Sequence, residues 1–190
     1  MRKRSMDELG RLSVEEFRRA GKLPVVVVLE NIRSMHNVGS VFRTADAFLL
    51  EAIYLCGYTP RPPHRDIHKT ALGATETVAW QYFPEGIQAL DQLRAEGYAI
   101  YAVEQTEGSR FLQEGGWETG EPVALVFGNE VEGVSEAVLA RCDGALEIPQ
   151  LGSKHSLNVS VAAGIALWEL VRNRIRMLDH QKLLDRNENR

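Results

Sequence analysis

The chain has 190 residues, 44% hydrophobic and 25% charged, the proportions of one globular domain that folds without disulfide or metal staples. Its formal net charge of −4 excludes a protein that coats nucleic acid through bulk positive charge. Cys56 and Cys142 lie far apart with no metal or redox spacing, and they read as reduced thiols of a cytosolic protein.

Met1-Arg2-Lys3-Arg4 leads into no apolar signal core, and the longest apolar stretch, within Val159–Val171, is too short and interrupted for a membrane span. The expectation is a cytoplasmic protein that does not engage a membrane. Basic residues are clustered. Arg2, Lys3, Arg4, Arg11, Arg18, Arg19 and Lys22 crowd the start. Arg61, His64, Arg65, His68 and Lys69 crowd a central loop, and Arg172, Arg174 and Arg176 the last helix. Each cluster is either a solvated face or a set of phosphate contacts.

In chain order, the basic segment 1–22 holds about one helix. Val25-Val26-Val27-Val28-Leu29 is a continuous β-branched run, the pattern of a strand buried on both faces. A helix is predicted over Val38–Leu50 and a second strand over Ala52–Cys56. Arg61-Pro62-Pro63-His64 breaks the pattern and opens a loop. Thr77–Tyr82 reads as a short strand. Pro84 opens a helix to about Glu96, ended by Gly97. Strands follow at Tyr98–Val103, Pro122–Phe127 and Ala145–Ile148, with a short helix at Ser135–Arg141 and a last helix from Asn158 to about Met177. Alternating strands and helices predict an α/β fold: a parallel sheet with helices on both faces. One domain spans 23–178, with a basic helical extension before it and a polar tail at 179–190.

Ligands of such sheets bind at the carboxyl ends of the strands. Three loops there carry polar chemistry. In Glu30–Thr44, Asn37 is the candidate N-cap. His36, Gly39, Ser40 and Arg43 follow at helical spacing, and Gly39 offers close approach of an anion to the helix start. In Leu125–Ser135, a buried strand runs into Gly128-Asn129-Glu130. A carboxylate at that mouth needs a partner, for which Arg43 is the candidate. In Glu147–Gly164, Ser156 and Asn158 start a helix that is apolar almost all round. Capping explains one of the two, and the apolar surface requires cover on more than one side.

These three segments, together with Lys69-Thr70-Ala71-Leu72-Gly73-Ala74, resemble the motifs of the SpoU-type RNA 2′-O-ribose methyltransferases of the SPOUT superfamily. The likeness runs from about Val25 to Arg172, with the three motifs in the family's order and spacing. It implies a deep trefoil knot at the C-terminal end, a homodimer with the active site near its interface, S-adenosylmethionine as methyl donor, and RNA (tRNA or rRNA) as partner. By the same resemblance Asn37 and Arg43 match the first motif, Glu130 the second, and Ser156 and Asn158 the third, together forming the catalytic set. Gly128, Ile148 and Leu157 match positions whose backbone holds the cofactor's adenine, and Thr106 is a further candidate for that pocket. No metal is implied; His64 and His68 lack a third ligand.

The chemistry asks for a group that stabilises a developing alkoxide. Arg43 is permanently positive and able to grip a phosphate in bidentate fashion, so it stabilises charge rather than acting as a base. Asn37 and Glu130 orient it or the ribose, and Ser156 and Asn158 hold a phosphate or shape the loop. An inactive RNA-binding module of this fold would not need all five residues. A dehydrogenase would show G-x-G-x-x-G after the first strand. Methylation of a base instead of ribose is told apart by nucleoside mass analysis.

Overall fold

The computed structural model describes residues 1–3, 5, 10–115 and 120–188, the last stretch without side chains from 175 onward. Its centre is a seven-stranded sheet in the order β3-β2-β1-β6-β4-β7-β5. The strands are β1 (Leu23–Glu30), β2 (Leu50–Cys56), β3 (Ala79–Phe83), β4 (Ala99–Val103), β5 (Arg110–Phe111), β6 (Val123–Phe127) and β7 (Gly144–Glu147). All pairings are parallel.

The period-two geometry of a strand sorts the valine run of β1 into two cores. Val25, Val27 and Leu29 enter one cluster with Ile53, Leu55, Leu125 and Phe127. Val26 and Val28 enter the other with Tyr54, Ala124 and Val126. Both faces are therefore covered, and each fully buried aliphatic side chain contributes about 1.5–3 kcal/mol.

Helices α1 (Val14–Arg19), α2 (Met35–Ala47), α3 (Arg65–Ala71), α4 (Ala74–Thr77) and α7 (Val159–Glu188) and the opposite pair α5 (Gly86–Ala95) and α6 (Glu136–Leu139) supply that cover. Phe17, Val38, Phe42, Ile67, Ala74 and Leu167 pack into the first cluster, and Ala89, Leu90, Leu93 and Val138 into the second. No helix among the described residues is long and apolar enough to cross a membrane.

Several expectations are corrected. The segment after Arg61-Pro62-Pro63-His64 is not simply a loop: it holds α3, whose first turn is capped by the His64 ring accepting from the Asp66 N–H at 3.2 Å. Only Ile67 and Ala71 are buried on it, too few apolar positions to give a helical period. Pro84 precedes α5 instead of starting it, because Glu85 is the N-cap. Asn37 is not the cap of α2. Ser34 is, with its hydroxyl accepting from the Asn37 N–H at 3.3 Å. Gly39 serves helix packing, since a Cβ there would collide with Thr70 and the Ile67 carbonyl of α3. The last helix extends beyond Met177, to Glu188.

Candidate active site

The carboxyl end of β1 is fixed first. Thr59, 2% exposed, donates from its hydroxyl to the Leu29 carbonyl at 2.9 Å and accepts from the Ile32 N–H at 3.0 Å. The turn that follows presents two backbone N–H groups, those of Arg33 and Ser34, to the Glu130 carboxylate at 2.9 and 3.1 Å. The Asn37 side-chain amide adds a third donor at 3.0 Å. Burial pushes the Glu130 pKa up, but these donors outweigh it and hold the group below its ordinary value. It is therefore an anion that stitches the loop after β6 to the start of α2.

Asn37 also reaches the third loop: its Oδ1 accepts from Asn158 Nδ2 at 3.1 Å. Asn158 caps α7 with its other end. Its Oδ1 accepts from the Ser160 N–H at 2.9 Å and the Ser160 hydroxyl at 2.6 Å. One chain of hydrogen bonds, Glu130–Asn37–Asn158, thus joins all three polar loops.

Beside this chain lies a cavity of about 480 Å³, within the range of small-molecule sites. Gly128, Glu130, Ile148, Ser156, Leu157 and Asn158 all line it. Its apolar wall includes Val103, Phe127 and Leu146, the ends of β4, β6 and β7. Gly128 is required by the loop's own path, because a Cβ there would run into the backbone of Gly133 and Val134. The combination of apolar strand ends, a close glycine loop and acidic side chains (Glu104, Glu130, Glu147) suits an adenosine bearing a positive charge. The residues present therefore fit the expected cofactor.

The structure separates two expected residues from this set. Thr106 is not among the lining residues, whereas Glu104 and Gln105 of the same loop are. Arg43 is not the partner of Glu130. It stands exposed on α2. Six positions at ~100° per residue leave it ~120° round the helix from Asn37, so the two do not share one face. The carboxylate is satisfied by backbone N–H groups, which sequence patterns do not display.

The basic clusters also divide. Arg174 is 4% exposed and donates to the Glu121 carbonyl at 2.7 Å, and Arg172 pairs with Glu169 at 2.7 Å. Both serve the fold more directly than phosphates. The side chain of Arg176, like Arg4, lies outside the described residues. Arg18 donates to the Glu76 carbonyl at 2.7 and 3.1 Å. Among the described residues no group of three or more His, Cys, Asp or Glu side chains is placed to hold a metal.

Sequence reasoning missed Asn129 and Glu104. Asn129 is 7% exposed. It donates to the Asn31 carbonyl at 2.8 Å and accepts from the N–H groups of Val131 and Glu132 at 2.8 and 3.0 Å. Glu104 accepts from the Val134 and Gln105 N–H groups at 3.0 and 2.9 Å. The signal for Glu104 was present: like Glu130, it is a carboxylate placed where a buried strand ends.

The profile of the SpoU rRNA Methylase family matches residues 24–168. A tRNA (guanosine(18)-2′-O)-methyltransferase of Thermus thermophilus is 35% identical over 173 residues, 91% of this chain and 87% of its own. A solved A. aeolicus TrmH/SpoU tRNA modifying enzyme superposes with TM-score 0.76 at 27% identity, covering 86% of this chain and 82% of its own. An AdoMet-bound rRNA methyltransferase from Sinorhizobium meliloti superposes with TM-score 0.74 at 27% identity, over 84% of this chain and 59% of its own.

Proposed function

The chain belongs to the SpoU rRNA methylase family, and we propose that it moves a methyl group from S-adenosylmethionine to a ribose 2′-hydroxyl of RNA, with tRNA the first candidate and rRNA the second. The observation that carries this reading is the Glu130–Asn37–Asn158 chain, which draws the three polar loops together at the rim of the cavity. The relative of matched length acts, by its name, on a tRNA 2′-oxygen, and a solved relative binds AdoMet.

The donor supplies a methyl group on a cationic sulfur. The backbone at Gly128, Ile148 and Leu157, which line the cavity, would hold its adenine, and Glu104 and Glu147 would offer anionic surface there. Asn37, Glu130, Ser156 and Asn158 keep the rim in shape and orient the ribose and its phosphate. Arg43, with no hydrogen-bonded or ion-paired partner among the described residues, presents its guanidinium to the RNA. It would stabilise the negative charge on the hydroxyl oxygen as the proton passes to solvent, the O–C bond forms and the donor's S–C bond breaks, leaving a neutral thioether. Its position round the helix from Asn37 means the RNA approaches across the exposed side of α2.

A homodimer supports this arrangement. Val161, Ile165 and Trp168 are 50%, 40% and 51% exposed on one side of α7, an apolar stripe that a second copy would cover. The domain reading also stands as part of this proposal: an extension over 1–22, a catalytic domain over 23–178 with the knot its family resemblance implies, a tail over 179–190, and work in the cytoplasm.

The test is to mix protein, S-adenosylmethionine and unmodified tRNA, then digest to nucleosides for mass analysis. A 2′-O-methylated nucleoside supports the reading, whereas a base-methylated nucleoside, or no methylation of either tRNA or rRNA, overturns it.

A further inference from the structure

A second concavity lies where β2 runs into the loop 57–64, beside the edge strand β3. Tyr58, Arg61, His64, Trp80 and Tyr82 line it together with three prolines and no acidic residue. On a chain of net charge −4, a patch that combines three aromatic rings with only basic charge is unusual.

Its rings are held in place. Trp80 and Tyr82 are two positions apart on β3, opposite Ile53 and Leu55 of β2, and so share one face of the sheet. The Arg61 guanidinium stacks over the Tyr82 ring at 4.0 Å and makes no ion pair among the described residues. Tyr58 is 58% exposed and Trp80 37%, so both offer ring surface to solvent. The Tyr58 hydroxyl is nevertheless fixed, accepting from Asn129 Nδ2 at 2.7 Å. The loop beneath is anchored by Thr59 and by the Gly57 N–H on the Phe83 carbonyl at 3.0 Å. Asn129 itself lines the cofactor cavity, so one hydrogen bond links that cavity to a ring of the second concavity.

We propose that this concavity is a stacking site for an unpaired nucleobase of the RNA substrate, adjacent to the nucleotide that is methylated. The inference rests on the reading of the chain as an RNA methyltransferase. Proteins take unstacked RNA bases on aromatic and guanidinium planes, and the surrounding positive charge follows the phosphates. Trp80, Tyr58 and the outer face of Arg61 supply such planes. The Asn129–Tyr58 hydrogen bond sets the base beside the cofactor cavity, where a nucleotide presenting its 2′-hydroxyl would have been pulled from its own stack.

Binding is measured with a labelled oligouridylate and with an abasic ribose-phosphate oligomer of the same length. Trp80→Ala weakens the oligouridylate about tenfold, the scale of one lost base–aromatic stack. It leaves the abasic oligomer and the salt slope unchanged, and Trp80→Phe recovers most of the affinity. Arg61→Ala, at an exposed position, weakens both oligomers and flattens the salt slope, and it serves as an independent arm if Trp80→Ala does not fold. No wild-type preference for the base-bearing oligomer, or a preference that survives both substitutions, overturns the proposal and leaves the patch to a protein partner. Methyl transfer by the wild type is scored separately. If transfer occurs without the Trp80 effect, only the stacking site fails; if the Trp80 effect occurs without transfer, the stacking site stands and the proposed function fails.

Discussion

The Asn37 side chain donates to the Glu130 carboxylate at 3.0 Å while its carbonyl oxygen accepts from Asn158, so one amide tethers two loops to the start of α2. Asn37→Ala removes both links, and stability falls by about 1 kcal/mol, the net scale of a hydrogen bond to a charged group discounted for exposure. S-adenosylmethionine binding weakens about fivefold with it. Thermal melting and calorimetric titration check the two effects. The Glu130 pKa lies below its ordinary 4.5, so its contribution is present above that pH and is lost as pH falls through the folded value. The stability gap between wild type and Glu130→Gln therefore closes on acidification below about pH 4.5.

Burial, with help from Glu30, pushes the Cys56 thiol up to about 12. Burial with Asp143 pushes Cys142 up to about 11. Both values exceed the ordinary 9.0, so the neutral thiols stabilise the fold fully below pH 9, and this contribution is lost as pH rises toward 11–12. At pH 8 a thiol-specific disulfide reagent should modify the native protein at least about a hundredfold more slowly than the unfolded chain. Rapid labelling of the buried Cys56 in the native protein would contradict its burial.

The exposed stripe on α7 predicts the assembly. Trp168, whose ring lies 6.0 Å from that of Phe48, is the aromatic member of that stripe. Trp168→Glu raises the dimer dissociation constant at least about thirtyfold, the scale of a buried aromatic anchor. Sedimentation equilibrium reads it directly. A wild type that stays monomeric at micromolar concentration refutes the homodimer.

Gly128→Ala tests why that loop has glycine. The added Cβ meets the backbone of Gly133 and Val134, so the loop must shift. Stability drops by about 1–3 kcal/mol, and cofactor binding drops with it. A variant that melts like wild type but no longer binds S-adenosylmethionine would mean that the glycine serves the ligand alone.

Much of the sheet was legible because the Val25–Leu29 and Pro122–Phe127 runs are long enough to declare strands buried on both faces. The polar residues that meet, Asn37, Glu130 and Asn158, were also legible, through their family resemblance. What joins them was not. The partners of Glu130 are the N–H groups of Arg33 and Ser34, which belong to a turn and leave no trace in residue identity. Helix α3 escaped because Ile67 and Ala71 alone face the core. Arg172 and Arg174 looked like phosphate contacts until the fold placed Glu169 and the Glu121 carbonyl against them.

The central claim is methyl transfer to a ribose oxygen with Arg43 stabilising the charge, and the fate of the label under alkali tests it most directly. A 2′-O-methyl group removes the hydroxyl that alkali needs to cleave the next phosphodiester, so labelled methyl from S-adenosylmethionine should appear in alkali-resistant dinucleotides. In single turnover with saturating RNA, Arg43→Ala should form them at least about a hundredfold more slowly, the cost of one preorganised charge stabiliser. Its melting temperature should hold, because Arg43 is exposed, and Arg43→Lys should recover only part of the rate. Label in alkali-labile mononucleotides would contradict ribose methylation, and an Arg43→Ala rate near that of wild type would contradict the role of Arg43.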